Sequence, residues 1–366
     1  MKKERDINIE FIRVIACIFV IGLHISLGFL LESNELDKTR LFISSLLRDG
    51  VTLFWFIMGY FLFYDKRSFK EIIKKCLSKV FLPAFIIMIF TVIFNNWIIS
   101  SSSFIDCIKN ISINNFIDIF KCLLFLTIDP IPSAAHLWYI FAYIKVIIWY
   151  PILKLVVNKK NDNIVKYIII VSSIFIFTNF IQILFFKEIL YEEFIITTIP
   201  IIQVLIGYKL RNYIDKNKKI IKTNKYRIIF LSTLIVAYIM RFGIQLLLYY
   251  KNNDLDYMLH TGRLLNFVIA ISLFLFIMSI NIKDIFKKII LFLSKNTFYI
   301  YLLHFCLILK FKSFGLDTKL LSKLPTNVIG EILYTLIYTL FIFIVCLIIS
   351  VIIHYIEKYI KKIFNH

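Results

Sequence analysis

A glutamate, an arginine and a histidine interrupt the first apolar run of the chain, EFIRVIACIFVIGLH, at Glu10, Arg13 and His24. Arg13 and His24 are eleven residues apart. At about 100° per helical residue, three turns bring them back to within about 20° of each other, roughly 16 Å apart along the axis. Glu10 stands three residues before Arg13, on a neighbouring part of the same face, where it can pair with the guanidinium. Titratable groups inside a membrane helix are costly, and they mark a functional site by default. A histidine in that setting suits general-base chemistry near neutral pH. The competing reading is a structural histidine hydrogen-bonded between helices.

These residues must be held by membrane helices. Apolar residues make up 60% of the 366, and mean hydropathy is +0.82, more than a soluble fold can bury. The expected class is therefore an all-α polytopic membrane bundle. The net charge of +20 is not read as nucleic-acid binding, because Lys and Arg cluster between the apolar runs, where they set topology and meet anionic lipid. The six cysteines lie mostly in or beside apolar runs and lack metal-type spacing such as C-x-x-C. They read as small apolar packers, and no metal is expected. The first apolar run is too long for a signal peptide and lacks a small-residue cleavage site, so it is expected to remain as a span.

Runs long enough to cross a core about 30 Å thick fall at about 7–31, 43–64, 80–99, 136–157, 164–186, 194–208, 228–249, 262–280, 289–309 and 328–356. The run 194–208 is short and contains Pro200. The run 116–128 carries Asp118 and Lys121; it is too short to span and reads as a re-entrant or interfacial helix. With the N-terminus inside and ten alternating spans, the inner segments hold 27 Lys and Arg against 10 outside, which favours this topology with both termini cytoplasmic. Counting 116–128 as a span would turn the Lys-rich segment 209–227 outward. The basic outer loop 310–327 is the one feature against the scheme. No soluble domain or internal repeat is visible, so residues 1–366 read as one membrane domain.

The segment DINIEFIRVIACIFVIGLH resembles the opening span of the acyltransferase-3 family of integral-membrane acyltransferases, whose pattern is an acidic residue, two apolar residues, Arg, ten residues, then His. Glu10, Arg13 and His24 fill those places. RDGVTLFWFIMGYFLF (48–63) is similar to the family's second span, HLWYIFAYIKVIIWYP (136–151) to its His-Leu-Trp span, and LSKNTFYIYLLHF (293–305) to its late Tyr-Leu-x-His segment. The four segments occur in family order. Two departures stand out. Met58 replaces the serine usual before Gly-Tyr, and the Arg-x-x-Arg usual ahead of a proline is replaced by Lys74, Lys75 and Lys79 before Pro83. Lysine binds phosphate as a point charge, whereas arginine can bind it bidentately.

The resemblance implies acyl transfer across the membrane. Acyl-CoA, most simply acetyl-CoA, enters from the basic inner face. Lys75 and Lys79 hold its phosphates or merely anchor the inner end of their helix. Arg13, fixed by Glu10, stabilises CoA or a developing oxyanion. His24 acts as general base or carries the acyl group. The acceptor is an extracytoplasmic or lipid-linked glycan of the cell envelope, and the protein is a multi-pass protein of a bacterial plasma membrane, in contact with lipid. His136 lies at a depth compatible with His24. Trp138 beside it reads as an acceptor contact or as part of the interfacial aromatic belt. Tyr301 and His304, three residues apart, line the acceptor side or hydrogen-bond a neighbouring helix. Arg241, deep in its span, must face a polar cavity or a carboxylate, and Arg48 with Asp49 reads as a local charge pair. The alternative functions are a transporter of a small amino acid such as serine, and a non-catalytic assembly partner.

Overall fold

The computed structural model describes residues 5–32, 37–100, 103–125, 132–157, 162–186, 192–252 and 263–364, and among these the only regular elements are helices joined by short turns, without strands. Among the described residues the helices are, in chain order, α1 (Ile7–Glu32), α2 (Lys38–Leu47), α3 (Gly50–Leu62), α4 (Phe69–Cys76), α5 (Leu82–Ile93), α6 (Asn95–Ile99), α7 (Phe104–Lys109), α8 (Ile113–Phe125), α9 (Trp138–Val156), α10 (Asp162–Phe186), α11 (Glu192–Ile221), α12 (Asn224–Asn252), α13 (Arg263–Ser279), α14 (Asp284–Ser313), α15 (Leu316–Leu321) and α16 (Val328–Phe364). A π-helical turn at Leu77–Phe81 joins α4 to α5, and a 3₁₀ turn at Pro132–Leu137 leads into α9.

Seven helical stretches of the described residues are long and apolar enough to cross a membrane: Ile7–Leu27, Lys38–Leu62, Phe69–Ile93, Ser133–Val156, Asn224–Tyr250, Asp284–Ser313 and Val328–Ile360. Each coincides with an expected span. The other three expected spans coincide with α10, the first half of α11, and α13. Helix α11 continues through Pro200 and runs on to Ile221, with a kink at Asn217. The short run expected near 116–128 is the helix α8, packed on α5, with Ile113, Phe116 and Phe120 exposed; residues 126–128 lie outside those described.

Two expectations change. The run 43–64 is two helices, broken at Arg48–Asp49. The Asp49 carboxylate reaches beyond its neighbour Arg48 and accepts from Arg241 of α12. The third span begins earlier than expected, at Phe69, because Ser68 and Glu71 form a reciprocal capping box. Its π turn ends just before Pro83, which lacks the N–H that a regular helix would return to the Lys79 carbonyl.

Helix α1 is the central post, packed on α2, α3, α14 and α16. Helix α3 crosses α11 at glycine on both sides. A β-carbon on Gly59 would lie 1.8 Å from the Val204 carbonyl oxygen, and one on Gly207 would lie 2.2 Å from that of Phe56. Only glycine permits backbones this close, as in other tightly packed membrane helices. The crossing fixes α3 against the face of α1 that carries Arg13.

Candidate active site

Three histidines from three elements meet near the C-terminal end of α1. The ring centroid of His24 lies 5.3 Å from that of His304 on α14 and 4.9 Å from that of Phe305. His136, in the 3₁₀ turn before α9, is 5.1 Å from His304. His136 and His304 are buried, whereas His24 is partly exposed. Nε2 of His136 lies 2.9 Å from the Leu302 carbonyl, and Nδ1 of His304 lies 2.6 Å from the Tyr301 carbonyl. A carbonyl only accepts, so both of these nitrogens carry hydrogen. In the neutral rings, His136 Nδ1 and His304 Nε2 are then acceptors, and both are buried without a partner. The Tyr301 hydroxyl donates to the His136 carbonyl, tying α14 to the start of α9. The cluster is therefore held by backbone contacts and offers two acceptor nitrogens beside one accessible imidazole.

The N-terminal half of α1 builds a different environment. Arg13 Nη1 donates to Glu10 Oε2 at 2.6 Å; the arginine side chain is 27% exposed and the glutamate 6%. Arg13 lines a cavity of about 390 Å³ together with Phe54 and Met58 of α3, Lys75 and Lys79 of the third span, and Tyr139 of α9. Arg67 stands at the same cavity but is occupied: its Nε donates to Asp65 Oδ1 at 2.9 Å and its Nη2 donates to Oδ2. The Arg67 guanidinium holds the Asp65 carboxyl below the usual carboxylate range. Lys75 and Lys79 are exposed.

Aromatic rings bridge the two environments. Phe54 and Tyr139 wall the cavity, 6.1 Å apart, and both meet Tyr301, at 6.3 Å and 5.5 Å. Tyr301 in turn lies 5.5 Å from His304 and 5.9 Å from His136. An apolar arm reaching from the cavity toward His24 would run along this wall.

The sequence candidates thus divide. His24, His136, Tyr301 and His304 come together; Glu10, Arg13, Lys75 and Lys79 stand at the other end of the same helix face. Arg241 joins neither group. All five of its N–H donors are used: Nε to Ser45 Oγ, Nη1 to Asp49 Oδ1 and Asn266 Oδ1, and Nη2 to Asp49 Oδ2 and the Ser45 carbonyl. Trp138 is 43% exposed. Tyr139, Tyr143 and Phe54 were not singled out from sequence. The spacing of His136, Tyr139, Tyr143 and Ile147, the last three of which line the cavity, is the three-and-four pattern of one helical face and was the available signal. Among the described residues, no group of three or more His, Cys, Asp and Glu side chains is placed to hold a metal ion.

Comparison with known families gives one match: the acyltransferase-3 family model, described as an acyltransferase domain, covers residues 6–351. No curated protein and no solved structure matches the chain. The match spans every element from α1 into α16, including both ends of the Arg13–His24 face, and the chain belongs to the acyltransferase-3 family.

Proposed function

We propose that this membrane acyltransferase moves an acyl group, most simply acetyl, from cytoplasmic acyl-CoA to a hydroxyl of an extracytoplasmic or lipid-linked envelope glycan. The charge bias of the loops supports placing the Arg13 end of α1 in the cytoplasm and the His24 end toward the outer leaflet of a bacterial plasma membrane. The observation that carries the reading is the division of α1: a basic cavity at Arg13 and an accessible imidazole at His24, on one face of one helix.

In this reading the phosphates of the donor meet Lys75, Lys79 and Arg13, and the acyl-pantetheine arm follows Phe54 and Tyr139 toward Tyr301. His24 takes the proton of the acceptor hydroxyl as its oxygen attacks the thioester carbonyl carbon. The tetrahedral oxyanion collapses, the C–S bond breaks, and the CoA thiolate leaves with the proton returned by His24. His136 Nδ1 and His304 Nε2, acceptors without partners, suit an arriving hydroxyl, which has a hydrogen to donate. Trp138, exposed beside them, is positioned for a glycan or for lipid.

The test is His24→Ala, with His24→Gln as a second variant of similar shape. Both are expected to insert and to abolish acylation of envelope glycans, measured by mass spectrometry, together with acceptor-dependent CoA release by the purified protein. Normal glycan acylation in a well-expressed His24→Ala strain would overturn the reading. Uptake of labelled serine into proteoliposomes lacking acyl-CoA would favour transport instead.

A further inference from the structure

A second, larger cavity adjoins the first, and none of its basic residues beyond Arg13 was placed in a site from the sequence. It measures about 740 Å³ and lies between the start of α1, the end of α3 and the second half of α11. Arg13 and Phe61 line both cavities, so the two are neighbours across one arginine and one ring. The further cations of the second cavity are Arg5, Arg211, Lys218 and Lys222. Its carboxylates are Asp6, Glu10 and Asp215. Glu10 is engaged by Arg13, and Asp215 stands 3.6 Å from Arg211. Among the described residues no ion pair forms at Arg5, Lys218 or Lys222. Arg211 is held in place by Nη1 donating to the Tyr60 carbonyl at 3.0 Å and by stacking 3.8 Å over the Tyr64 ring, with its buried Nε turned toward Asp215. A guanidinium held in place at the cavity, beside lysines that no carboxylate pairs among the described residues, suits a phosphorylated ligand.

The local sequence explains the site. Lys218 and Lys222, four residues apart, share one face of the turns after the Asn217 kink, and with Arg211 before the kink they line the same cavity. A run of charge that only anchored the helix would have no reason to converge on Arg13 from a different element.

We infer that this second cavity holds the adenosine 3′-phosphate 5′-diphosphate end of the acyl-CoA donor, with Arg211, Lys218 and Lys222 as phosphate ligands, while the smaller cavity takes the pantetheine arm. The inference rests on the donor assignment proposed above and changes which residues clamp it. It accounts for the weak lysine pair on the third span: Lys75 and Lys79 are exposed and Arg67 is taken by Asp65, whereas the larger cavity offers room and a pre-positioned guanidinium. The chemistry it recognises, phosphate esters, is shared with anionic lipid headgroups, which also reach this end of the bundle.

The experiment measures CoA binding by calorimetry to the full-length protein in nanodiscs of phosphatidylcholine alone. Lys218→Glu/Lys222→Glu is expected to weaken CoA at least about tenfold, the scale of losing one charge-assisted phosphate contact. It should leave S-acetylpantetheine, which has no phosphate, unaffected. Lys75→Ala/Lys79→Ala should weaken CoA less. Unchanged CoA affinity in Lys218→Glu/Lys222→Glu overturns the inference. So does a result in which adding phosphatidylglycerol to the nanodisc raises thermal stability only when both lysines are present while CoA binding ignores them, because the cavity would then be a lipid site. If CoA fails to bind the unaltered protein at all, the donor assignment itself falls.

Discussion

Arg13 and Arg241 both lie within membrane helices of this protein, and they are held in opposite ways. Arg241 is fully buried, donates through all five N–H groups and is ion-paired with a fully buried Asp49. Its cation–π neighbour Tyr238 donates to the Leu46 carbonyl, so the whole group locks α12 against the break between α2 and α3. Arg13 has one carboxylate partner, is partly exposed and borders two cavities. A charge inside a membrane helix therefore does not by itself mark the reacting site. What separates the two is spare hydrogen-bonding capacity facing open space: Arg13 has it and Arg241 has none. Exposure also separates His24, which is partly exposed, from His136 and His304, which are buried and fixed by backbone carbonyls.

The sharpest way to break this comparison is to remove Arg241. Arg241→Met leaves the Asp49 carboxylate buried without its cation, and breaking such a pair costs about 3–5 kcal/mol. The expected outcome is a protein that accumulates poorly and unfolds at much lower temperature in detergent. Arg241→Met combined with Asp49→Leu removes both charges and should recover most of that loss, since an apolar pair of similar volume is often as stable as the buried ion pair. If the single variant folds normally but loses acyl transfer, Arg241 belongs to the reacting site and the distinction fails.

Arg13→Ala should behave in the reverse manner. Its partner Glu10 is buried but lines the larger cavity, so thermal unfolding should move less than in Arg241→Met. Acyl transfer should fall about 10²–10³-fold, the scale of removing one donor that stabilises a developing charge or a phosphate. Glu10→Gln keeps the size of the side chain and removes only the charge that orients Arg13, so a loss of about tenfold is expected. It should appear chiefly as a raised KM for acyl-CoA, measured by CoA release, rather than a lowered kcat. A Glu10→Gln enzyme with unchanged KM and strongly reduced kcat would place Glu10 in the chemical step.

Much of this was legible in the sequence, for identifiable reasons. The long helices follow from apolar runs of sufficient length, and the Glu10–Arg13–His24 face follows from helical periodicity. His136, Tyr301 and His304 were singled out because four segments match one family pattern in order, and the structure brings them together. What escaped depends on contacts distant in the chain. The break at Arg48–Asp49 exists where Asp49 meets Arg241, 192 positions later, and no local signal carries that information. The basic stripe on α11 was read as topological charge, since the same lysines would serve a cytoplasmic anchor equally well. Its place at the larger cavity emerges only when the α3–α11 glycine crossing brings Arg211 to the Tyr60 carbonyl and to the cavity that Arg13 also lines. Tyr139 was overlooked beside the more conspicuous Trp138.

That last pair gives the smallest and most selective test. Trp138 and Tyr139 are adjacent, and helix geometry turns them about 100° apart. Trp138 is 43% exposed, and its ring meets that of Tyr139 at 6.3 Å. The Tyr139 ring packs at 4.5 Å on Trp55 and touches Phe54 and Tyr301, on the wall between the Arg13 cavity and the histidines. Trp138→Leu should change stability by no more than about 0.5 kcal/mol, as for a surface position, and leave acylation within about twofold. Tyr139→Leu should preserve insertion yet lower acyl transfer more than Trp138→Leu, with the deficit growing as the acyl chain supplied on CoA lengthens, because the arm must pass that ring. If the two variants rank the other way, with Trp138→Leu the more damaging for glycan acylation and neutral for CoA binding, the exposed indole is an acceptor contact and the acceptor approaches from the side of α9 rather than from above His24.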